Sequence, residues 1–484
     1  MHTPYFPAFR CRLAVLGRHT AQRLRQATLD QLQQYLVDLL PAPLLCSEDE
    51  GFNSRERIFT LRLTFQCFLW QVLKPKTPCR EVVRQVQALL RLAGRALIDE
   101  GDSAYVQARQ RLPTERLDKA LQLTAQAADR RVGCGGQLQG RPVKVADGSS
   151  TQLADTPQNQ KVYPQHATQK AGCGFPLMKS VVLFSLCSGA VLKVMVGNKR
   201  CHDLRLLRAL WEELKKGDIL LGDRAYGEYT TLAGLPQQGV DVVARLHHAR
   251  KVDFRKARRL GKNDGLFLWK KGCQQSKILS SSQWALLPVE ITVRVIRFTA
   301  TIRGFRGRRI TLVTTLLDSA LYPAEELIQL YARRWRLELC LRDLKTTMGM
   351  EQLRCKSPEM AQKELLSYLV AHNLVRCVIA EAVARYQVEL DRVSFKGSID
   401  GLRQYSDAIG KARSQKIRRQ LWEDFLLNLA RDLVRYRPDR REPRAVKRRP
   451  KPYPLLNKPR RKFVEISHRS RYWKGRPRNF RGLN

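Results

Sequence analysis

Closely spaced cysteines are missing from this sequence. Its 12 cysteines are scattered, and none belongs to a CxxC pair or to a Cys/His cluster with the spacing of a zinc site. The pattern therefore excludes a zinc finger. Scattered free thiols suit a reducing compartment, so we expect a cytoplasmic protein.

Long apolar runs are also missing, and no signal-peptide core stands near the N-terminus. The most apolar stretch, SVVLFSLCSGAVLKVMVG (180–197), is interrupted by serine, glycine and lysine. It predicts two β-strands joined by a turn at Ser188-Gly189. We expect no association with a membrane.

Acidic residues are scarce relative to basic ones. Only 44 Asp and Glu stand against 88 Lys and Arg, which gives a net charge of +44. One fold cannot neutralise such a surplus internally, so the composition predicts a polyanionic partner, DNA or RNA. A basic membrane-surface protein is the minor alternative, but no amphipathic anchor or lipidation signal supports it.

The first part of the chain is predicted to be helical. At 484 residues with 43% hydrophobic content, about three folded domains are expected. Residues 1–132 form the first of these, because LDQLQQYLVDLL (29–40), SRERIFTLRLTFQCFLWQVL (54–73) and CREVVRQVQALLRLAG (79–94) have helical periodicity.

A further short helix, AYVQARQRL, is predicted between a cap at Asp102 or Ser103 and Pro113. It presents Gln107 and Arg109. Both side-chain types read base edges in a DNA groove, so this helix is a candidate groove-reading element. A solvent-exposed basic helix without a reading function is the alternative.

Residues 140–375 alternate predicted strands and helices, which is typical of an α/β domain with a largely parallel, buried sheet. VKVADGSS predicts a short strand that ends at Asp147, and DILLGDRAYG predicts one that ends at Asp223. Residues of about 250–315 break the alternation with short β-like segments. We interpret them as a β-rich insertion.

The C-terminal part divides into a helical region, residues 376–436, and a basic tail, residues 437–484. The tail has 18 Lys and Arg against three acids, with many prolines, so we expect it to be extended. Interleaved aromatic residues suit stacking on nucleic acid. A nonspecific solubilising tail is the alternative.

Two aspartates at strand ends suggest a metal site. Ligand sites of open α/β sheets form beyond the carboxyl ends of strands, so Asp147 and Asp223 converge if their strands are neighbours. Hard cations such as Mg²⁺ prefer oxygen ligands, and two-metal phosphoryl transfer needs about three carboxylates. Glu338, within YARRWRLELCLRDLK (331–345), is the candidate for the third.

That segment is predicted to be a cationic helix. At about 100° per residue, Arg334, Glu338 and Lys345 lie at about 300°, 340° and 320° from Tyr331, so the four share one face. The carboxylate of Glu338 is either an ion-pair partner or a metal ligand held beside phosphate-binding cations.

The spacing Tyr-x2-Arg-x3-Glu-x6-Lys resembles the signature of the IS-four type of bacterial insertion-sequence transposases. These are DDE enzymes with an RNase H-like core. VADGSSTQLADTPQNQKVYPQ is similar to the segment around that family's first Asp, and LLGDRAYG to its second-Asp motif. The resemblance covers roughly residues 140–375. It implies an α/β, RNase H-like catalytic core with a β-rich insertion, between a helical N-terminal domain and a helical C-terminal region.

The resemblance also implies roles for single residues. Asp147, Asp223 and Glu338 would hold two Mg²⁺ (or Mn²⁺) ions. Arg334 and Lys345 would grip phosphates near the scissile bond, and the hydroxyl of Tyr331 would contact the same backbone.

Partners follow from the same resemblance. They are double-stranded DNA, both as terminal inverted repeats and as target, and a second copy of the chain in a homodimeric synaptic complex. The expected location is the bacterial cytoplasm, in association with the nucleoid.

In the characterised branch of that family, a tryptophan of the insertion helps to splay out a base while a DNA hairpin forms. Trp269 is our first candidate because LFLWKKG places it at a strand end beside two lysines. Packing is its alternative role. Trp284 is expected to lie in the core.

Two rival functions remain at this stage. An RNase H-like nuclease or resolvase would cut DNA without strand transfer, although the Tyr-Arg-Glu-Lys face is not expected there. A domesticated DNA-binding protein would keep the fold without the chemistry, but the intact acids argue against it.

Overall fold

The computed structural model describes residues 40–45 and 58–435, except 93, 95–97, 134–137, 248, 277, 301–307 and 413, together with 456 and 458–462. The helix predicted at 29–40 and the predicted tail lie outside the described residues, apart from residue 40 and the few C-terminal residues just given.

Within the described part of the chain, four α-helices precede the sheet. Thr60 caps the first of them, because its side chain accepts a hydrogen bond from the Leu63 amide at 3.2 Å. Pro113 separates the third from the fourth, as its sequence position predicts. The helices are α1 (Leu61–Leu73), α2 (Cys79–Leu92), α3 (Ser103–Arg111) and α4 (Thr114–Val132).

The described residues form one nine-stranded sheet. Its spatial order is β3-β2-β1-β4-β5-β9-β8-β7-β6. The strands are β1 (Val143–Gln152), β2 (Leu177–Ser185), β3 (Val191–Gly197), β4 (Ile219–Gly222), β5 (Asp241–Arg245), β6 (Arg258–Gly261), β7 (Asp264–Lys270), β8 (Glu290–Ala300) and β9 (Arg308–Thr314).

Strands β1, β4 and β5 are parallel, and every other neighbouring pair is antiparallel. The predicted strand pair at 180–197 is confirmed as the β2–β3 hairpin. The strand before Asp223 is confirmed as β4. Two predictions were wrong. The sheet is not largely parallel, because only β1–β4 and β4–β5 of its neighbouring pairs are parallel. In addition, β1 does not end at Asp147 but continues to Gln152, because its second half pairs along β2.

The segment interpreted as an insertion extends the sheet past β5. Strand β9 pairs with β5, and β8, β7 and β6 follow outward. A buried ion pair fixes this extension: the Arg294 guanidinium, 0% exposed, contacts the Asp264 carboxylate at 2.6 Å and donates to the Tyr322 carbonyl at 2.6 Å. Such a pair is tolerated in a core because both charges are satisfied.

The remaining helices cover the sheet and continue beyond it. They are α5 (Pro157–Val162), α6 (Asp203–Ala209), α7 (Tyr229–Gln237), α8 (Ser281–Ala285), α9 (Ala324–Arg333), α10 (Trp335–Arg342), α11 (Pro358–Tyr386), α12 (Phe395–Lys411) and α13 (Gln415–Arg431).

Two apolar clusters lie on opposite faces of the sheet. Val145 and Leu221 point into the first cluster, together with side chains of α1, α4, α9, α10 and α11. Ala146 and Leu220, one residue away on the same strands, point into the second cluster with α6 and α7. This alternation follows from the two-residue period of a strand.

The expected domain boundaries do not separate independent cores. Helix α4 shares the first cluster with β1 and α11, so the boundary near residue 132 crosses a common core. The boundary between 375 and 376 falls inside α11, which is continuous to Tyr386. Helix α11 is long and apolar enough to cross a membrane, but 89% of its apolar window is buried inside the fold.

Candidate active site

The sheet register places the first two acids side by side. Val143 and Val145 of β1 pair with Ile219 and Leu221 of the parallel strand β4. Extending this register by two residues sets Asp147 opposite Asp223. Asp147 follows Val145 by two residues on β1, so its side chain lies on the face of the first cluster. Asp223 lies just beyond β4, where it caps the short 3-10 turn Arg224–Tyr226.

Glu338 approaches from the helices that cover that face. Leu330 of α9 and Leu337 of α10 are buried in the first cluster, which fixes both helices against the sheet. The side chain of Glu338 is 40% exposed at the rim of this contact. Glu338 thus lies on a helix that packs over the first-cluster face of the sheet. A ligand set made of Asp147, Asp223 and Glu338 stays a prediction.

The cationic segment is not one uninterrupted helix, contrary to our expectation. It tightens around Arg334, whose amide donates to the Tyr331 carbonyl at 3.1 Å and whose carbonyl accepts from the Leu337 amide at 3.0 Å. It then widens into a π-helical turn, Asp343–Thr347, which contains Lys345. Breaks of this kind often occur at functional sites.

The Arg334 guanidinium lies between two of the acids. One nitrogen is 3.9 Å from an Asp147 carboxylate oxygen, and another is 3.2 Å from a Glu338 carboxylate oxygen. Its carbon lies 5.7 Å from the ring centroid of Tyr331. The ion pair proposed as one role of Glu338 is therefore present, and Asp147 shares the same cation.

The charges of the site influence one another. The pKa of Asp147 is raised to about 6, mainly by burial; Arg334 lowers it, and Asp223 and Glu338 raise it. Burial lowers the pKa of Lys345, and the charges of Glu351 and Asp147 partly offset this effect by raising it. Burial also raises the pKa of Tyr331, against the effect of Arg334.

The donor chemistry of the site fits a hard divalent cation. All three candidate ligands are carboxylates, and two of them already face a positive charge, the Arg334 guanidinium. Among the described residues, no three His, Cys, Asp or Glu side chains lie close enough to hold a metal ion. Binding an ion would therefore need a new rotamer of Arg334 and of the half-exposed Glu338.

A fourth acid, Asp203, was missed by the sequence reasoning. It lies in the first turn of α6, and its carboxylate would be 3.5 Å from a Cβ placed on Gly148. The pKa of Tyr226 is raised mainly by burial. The negative charges of Asp223, Asp147 and Asp203 raise it further. The Lys179 ammonium pairs with Asp203 at 2.9 Å. No spacing rule in the sequence connects α6 to β1.

The structure does not support Trp269 as a DNA-stacking residue. Its side chain is 7% exposed in the second cluster, and the Arg250 guanidinium covers the ring at 3.9 Å. The strand end did not expose it because the pleat turns this position inward. Trp284, expected in the core, is only partly buried against that cluster.

Trp335 is an exposed aromatic residue on α10, the helix that carries Glu338. It follows Arg334, is 63% exposed, and lies one turn before Leu339, which is 38% exposed. The helical pattern could have found it, since Trp335 falls outside the apolar stripe formed by Leu330 and Leu337.

Arg109 does not face solvent as a groove-reading residue must. It is 8% exposed, stacks against Phe68 and Tyr105 at 5.1 Å from each ring centroid, and donates to Cys79 Sγ at 3.1 Å. The short helix turns this arginine toward α1, where the aromatic rings cover it. Gln107 is exposed and keeps its predicted role as a hypothesis.

Removing the charge of Asp147 should stabilise the metal-free fold. Its pKa, about 6, lies above the ordinary 3.8, so ionisation is disfavoured in the folded state. The free-energy cost of ionising Asp147 in the folded state is absent below about pH 4 and complete above about pH 6. We expect Asp147→Asn to be more stable than wild type by about 1–3 kcal/mol at pH 8.

Urea unfolding in EDTA at pH 8 and at the lowest pH where both proteins fold measures this difference. The gain should shrink at the lower pH. A variant that is less stable than wild type at pH 8 would contradict the assignment of a desolvated carboxylate.

Comparison with known proteins identifies a DDE-class DNA transposase. Residues 138–374 match the family model described as Transposase DDE domain. Over 441 residues the chain is 27% identical to transposase InsG for insertion sequence element IS4 of Escherichia coli (strain K12), covering 87% of this chain and 94% of that protein. The chain belongs to the DDE transposases of the IS4 type, enzymes that cleave DNA and transfer strands.

Two further similarities are more limited. A 68-residue segment is 34% identical to the putative transposase InsL for insertion sequence element IS186A of the same strain, covering 14% of this chain and 18% of that one. A cryo-EM structure of the piggyBac transposase synaptic complex with hairpin DNA superimposes with a TM-score of 0.39 at 7% identity, over 84% of each chain.

Proposed function

We propose that this transposase binds the terminal inverted repeats of its own insertion sequence, cleaves the DNA there, and joins the 3′-hydroxyl ends to target DNA. Asp147, Asp223 and Glu338 are its metal ligands, Mg²⁺ (or Mn²⁺) its ions, and a homodimer its synaptic form. The observation that carries this proposal is the register of β1 and β4, which sets two carboxylates side by side below Glu338 and Arg334.

Two divalent ions, when bound, would activate the attacking water or 3′-hydroxyl and stabilise the leaving oxygen. The protein's own cations bind the DNA. Arg334 exchanges its contacts with Asp147 and Glu338 for a backbone phosphate, which frees both carboxylates as ligands. Lys345, half-buried nearby, contributes a second positive charge, and Tyr331 a hydroxyl donor.

An RNase H-like core is the finer description of the fold that we favour. Three antiparallel strands, β1 to β3, are followed by the parallel strands β4 and β5. The first acid lies on β1, the second directly after β4, and the third on a helix that packs over both. Strands β6 to β9 then represent the insertion, which extends the sheet past β5.

Joining of a pre-cut end tests the proposal against its rivals. Purified protein with Mg²⁺ should join a duplex ending in the terminal 3′-hydroxyl to a supercoiled plasmid. Cleavage of an intact repeat without any joining would identify a nuclease. Repeat binding without metal-dependent cleavage would identify a DNA-binding protein. A cross-linked dimer that forms only with repeat DNA would support the synaptic homodimer.

Trp335 should help to unstack a base at the cut. A few kcal/mol are needed to unstack a base, and stacking on an aromatic ring returns about 1–3 kcal/mol. We expect Trp335→Ala to nick the first strand at nearly the wild-type rate and to slow the following step, hairpin closure, by about tenfold or more.

A gel assay that separates nicked from hairpin products measures both steps. Trp335→Phe is the matched control and should keep most of the second step because the ring remains. Equal slowing of both steps in Trp335→Ala, with no rescue by phenylalanine, would contradict a stacking role. Trp269→Ala should instead lower the melting temperature, as expected for a buried ring.

A further inference from the structure

A cleft of about 660 Å³ opens directly beside Asp223. It lies among the ends of β4 and β5 and the first turns of α6 and α7. We call it the β4–β5 cleft. Its polar lining consists of His202, Asp223, Arg224, Glu228, Tyr229, His247 and Arg250.

The cleft and the Arg334 side chain lie on opposite sides of the active-site acids Asp147 and Asp223. Helices α6 and α7 belong to the second apolar cluster, whereas α9 and α10 belong to the first. The carboxyl ends of the strands lie between these two layers. Asp223 is therefore reached from one side by α10 and from the other side by the cleft.

The cleft offers hydrogen-bond donors and positive charge. The rings of His202 and His247 each accept a backbone amide at Nδ1, at 3.3 Å in both cases. In the neutral ring the other nitrogen, Nε2, then carries the proton and is a donor. Arg224 is exposed, and Arg250 is held over the Trp269 ring.

The cleft also contains two acids, Asp223 and Glu228, which balance the charges of its two arginines, so its hydrogen-bond donors and not a net charge carry the recognition. Glu228 caps α7, and its carboxylate accepts from the amides of Thr230 and Thr231 at 2.8 and 2.7 Å. These amides and the helix dipole stabilise its negative charge. Asp223 is a proposed metal ligand. The lining is thus suited to the phosphodiester backbone of a nucleic acid.

Strand transfer requires two DNA molecules in one active site. The oxygen of the element's 3′-hydroxyl forms a bond to a target phosphorus and loses its proton. The bond from that phosphorus to the target's own 3′-oxygen breaks, and this oxygen takes up a proton. Attacking and leaving oxygens stand on opposite sides of the phosphorus, so the two strands extend in opposite directions.

We propose that the β4–β5 cleft binds the backbone of the target DNA strand. The inference rests on the proposed function, in which Arg334 and Lys345 hold the element's end. With that end on the α10 side, the in-line geometry directs the target strand to the other side of Asp223, and the cleft is the concave, donor-lined surface there.

The double variant Arg224→Ala, His247→Ala tests this assignment. Hydrogen bonds to charged groups contribute about 1.5–3 kcal/mol each, so the ratio of joining to end cleavage should fall by about tenfold or more. Arg258→Ala, which removes an exposed arginine from the edge strand β6, is the control and should keep the wild-type ratio. Equal losses of cleavage and joining in the double variant would overturn the proposal.

Site-directed crosslinking gives a readout that does not depend on turnover. His247→Cys should crosslink to a thiol-tethered phosphate of the target duplex, next to the joining site. Wild type, which already has the exposed Cys273, is the control. A stronger crosslink to element-end or flanking donor DNA would overturn the proposal. So would no crosslink at all.

The two proposals fail in distinguishable ways. If wild type joins no pre-cut ends, the proposed function fails. If wild type joins them and the double variant does so equally well, only the cleft assignment fails.

Discussion

Replacing any one of Asp147, Asp223 and Glu338 by its amide should remove DNA cleavage in Mg²⁺ while binding to the terminal repeat survives. The metal ions of such a site contribute several kcal/mol to stabilising the transition state. Each 1.36 kcal/mol is a factor of ten in rate, so we expect losses on the order of a thousandfold or more. The substitutions keep size and shape, which separates lost chemistry from lost folding.

Binding and cleavage have to be measured on the same protein samples. Binding should survive because phosphates are held by a dispersed basic surface and not by the acids. Glu338→Gln is the most informative variant, since Glu338 already has a partner, Arg334, at 3.2 Å. If it cleaves at nearly the wild-type rate, Glu338 is only an ion-pair partner and the assignment as a ligand is wrong.

The adjacency of Asp147 and Asp223 could be predicted from the sequence, because each lies at a fixed place relative to an apolar strand segment. Asp223 directly follows a wholly apolar strand, and a parallel neighbour brings a second acid to the same edge. The strand boundary at Asp147 was predicted wrongly. The acid nevertheless reaches the site, since register and pleat depend on the paired residues before it.

The wrong predictions concern residues whose environment is set by distant parts of the chain. LFLWKKG indicates a strand end, but the packing of Trp269 in the second cluster and under Arg250 buries the ring. Arg109 lies on a short polar helix, yet aromatic rings of α1 and α3 enclose it. The break at Arg334 could not be predicted either, because the 100° periodicity of the segment continues through it.

Binding to repeat DNA should weaken steeply with salt, and the basic residues 437–484 should account for much of that slope. Each neutralised phosphate contributes about −0.9 to the slope of log K against log salt, so six to ten contacts cost about 10³–10⁵ in affinity between 50 and 200 mM salt. The segment has 18 Lys and Arg. Deleting it should make the slope shallower by about 0.9 per lost contact, with repeat preference largely kept, since phosphate contacts carry no sequence information.

Fluorescence anisotropy with repeat and scrambled duplexes at several salt concentrations measures slope and preference together. A full-length variant with the arginines and lysines of 437–484 changed to glutamine is the matched control, and it should reproduce the shallower slope. The expectation distinguishes two roles for the segment. If truncation removed the preference for the repeat and left the slope unchanged, the segment would read base edges, and the nonspecific electrostatic role would be wrong. A helix such as α3, with its exposed Gln107, would then no longer be needed to explain sequence preference.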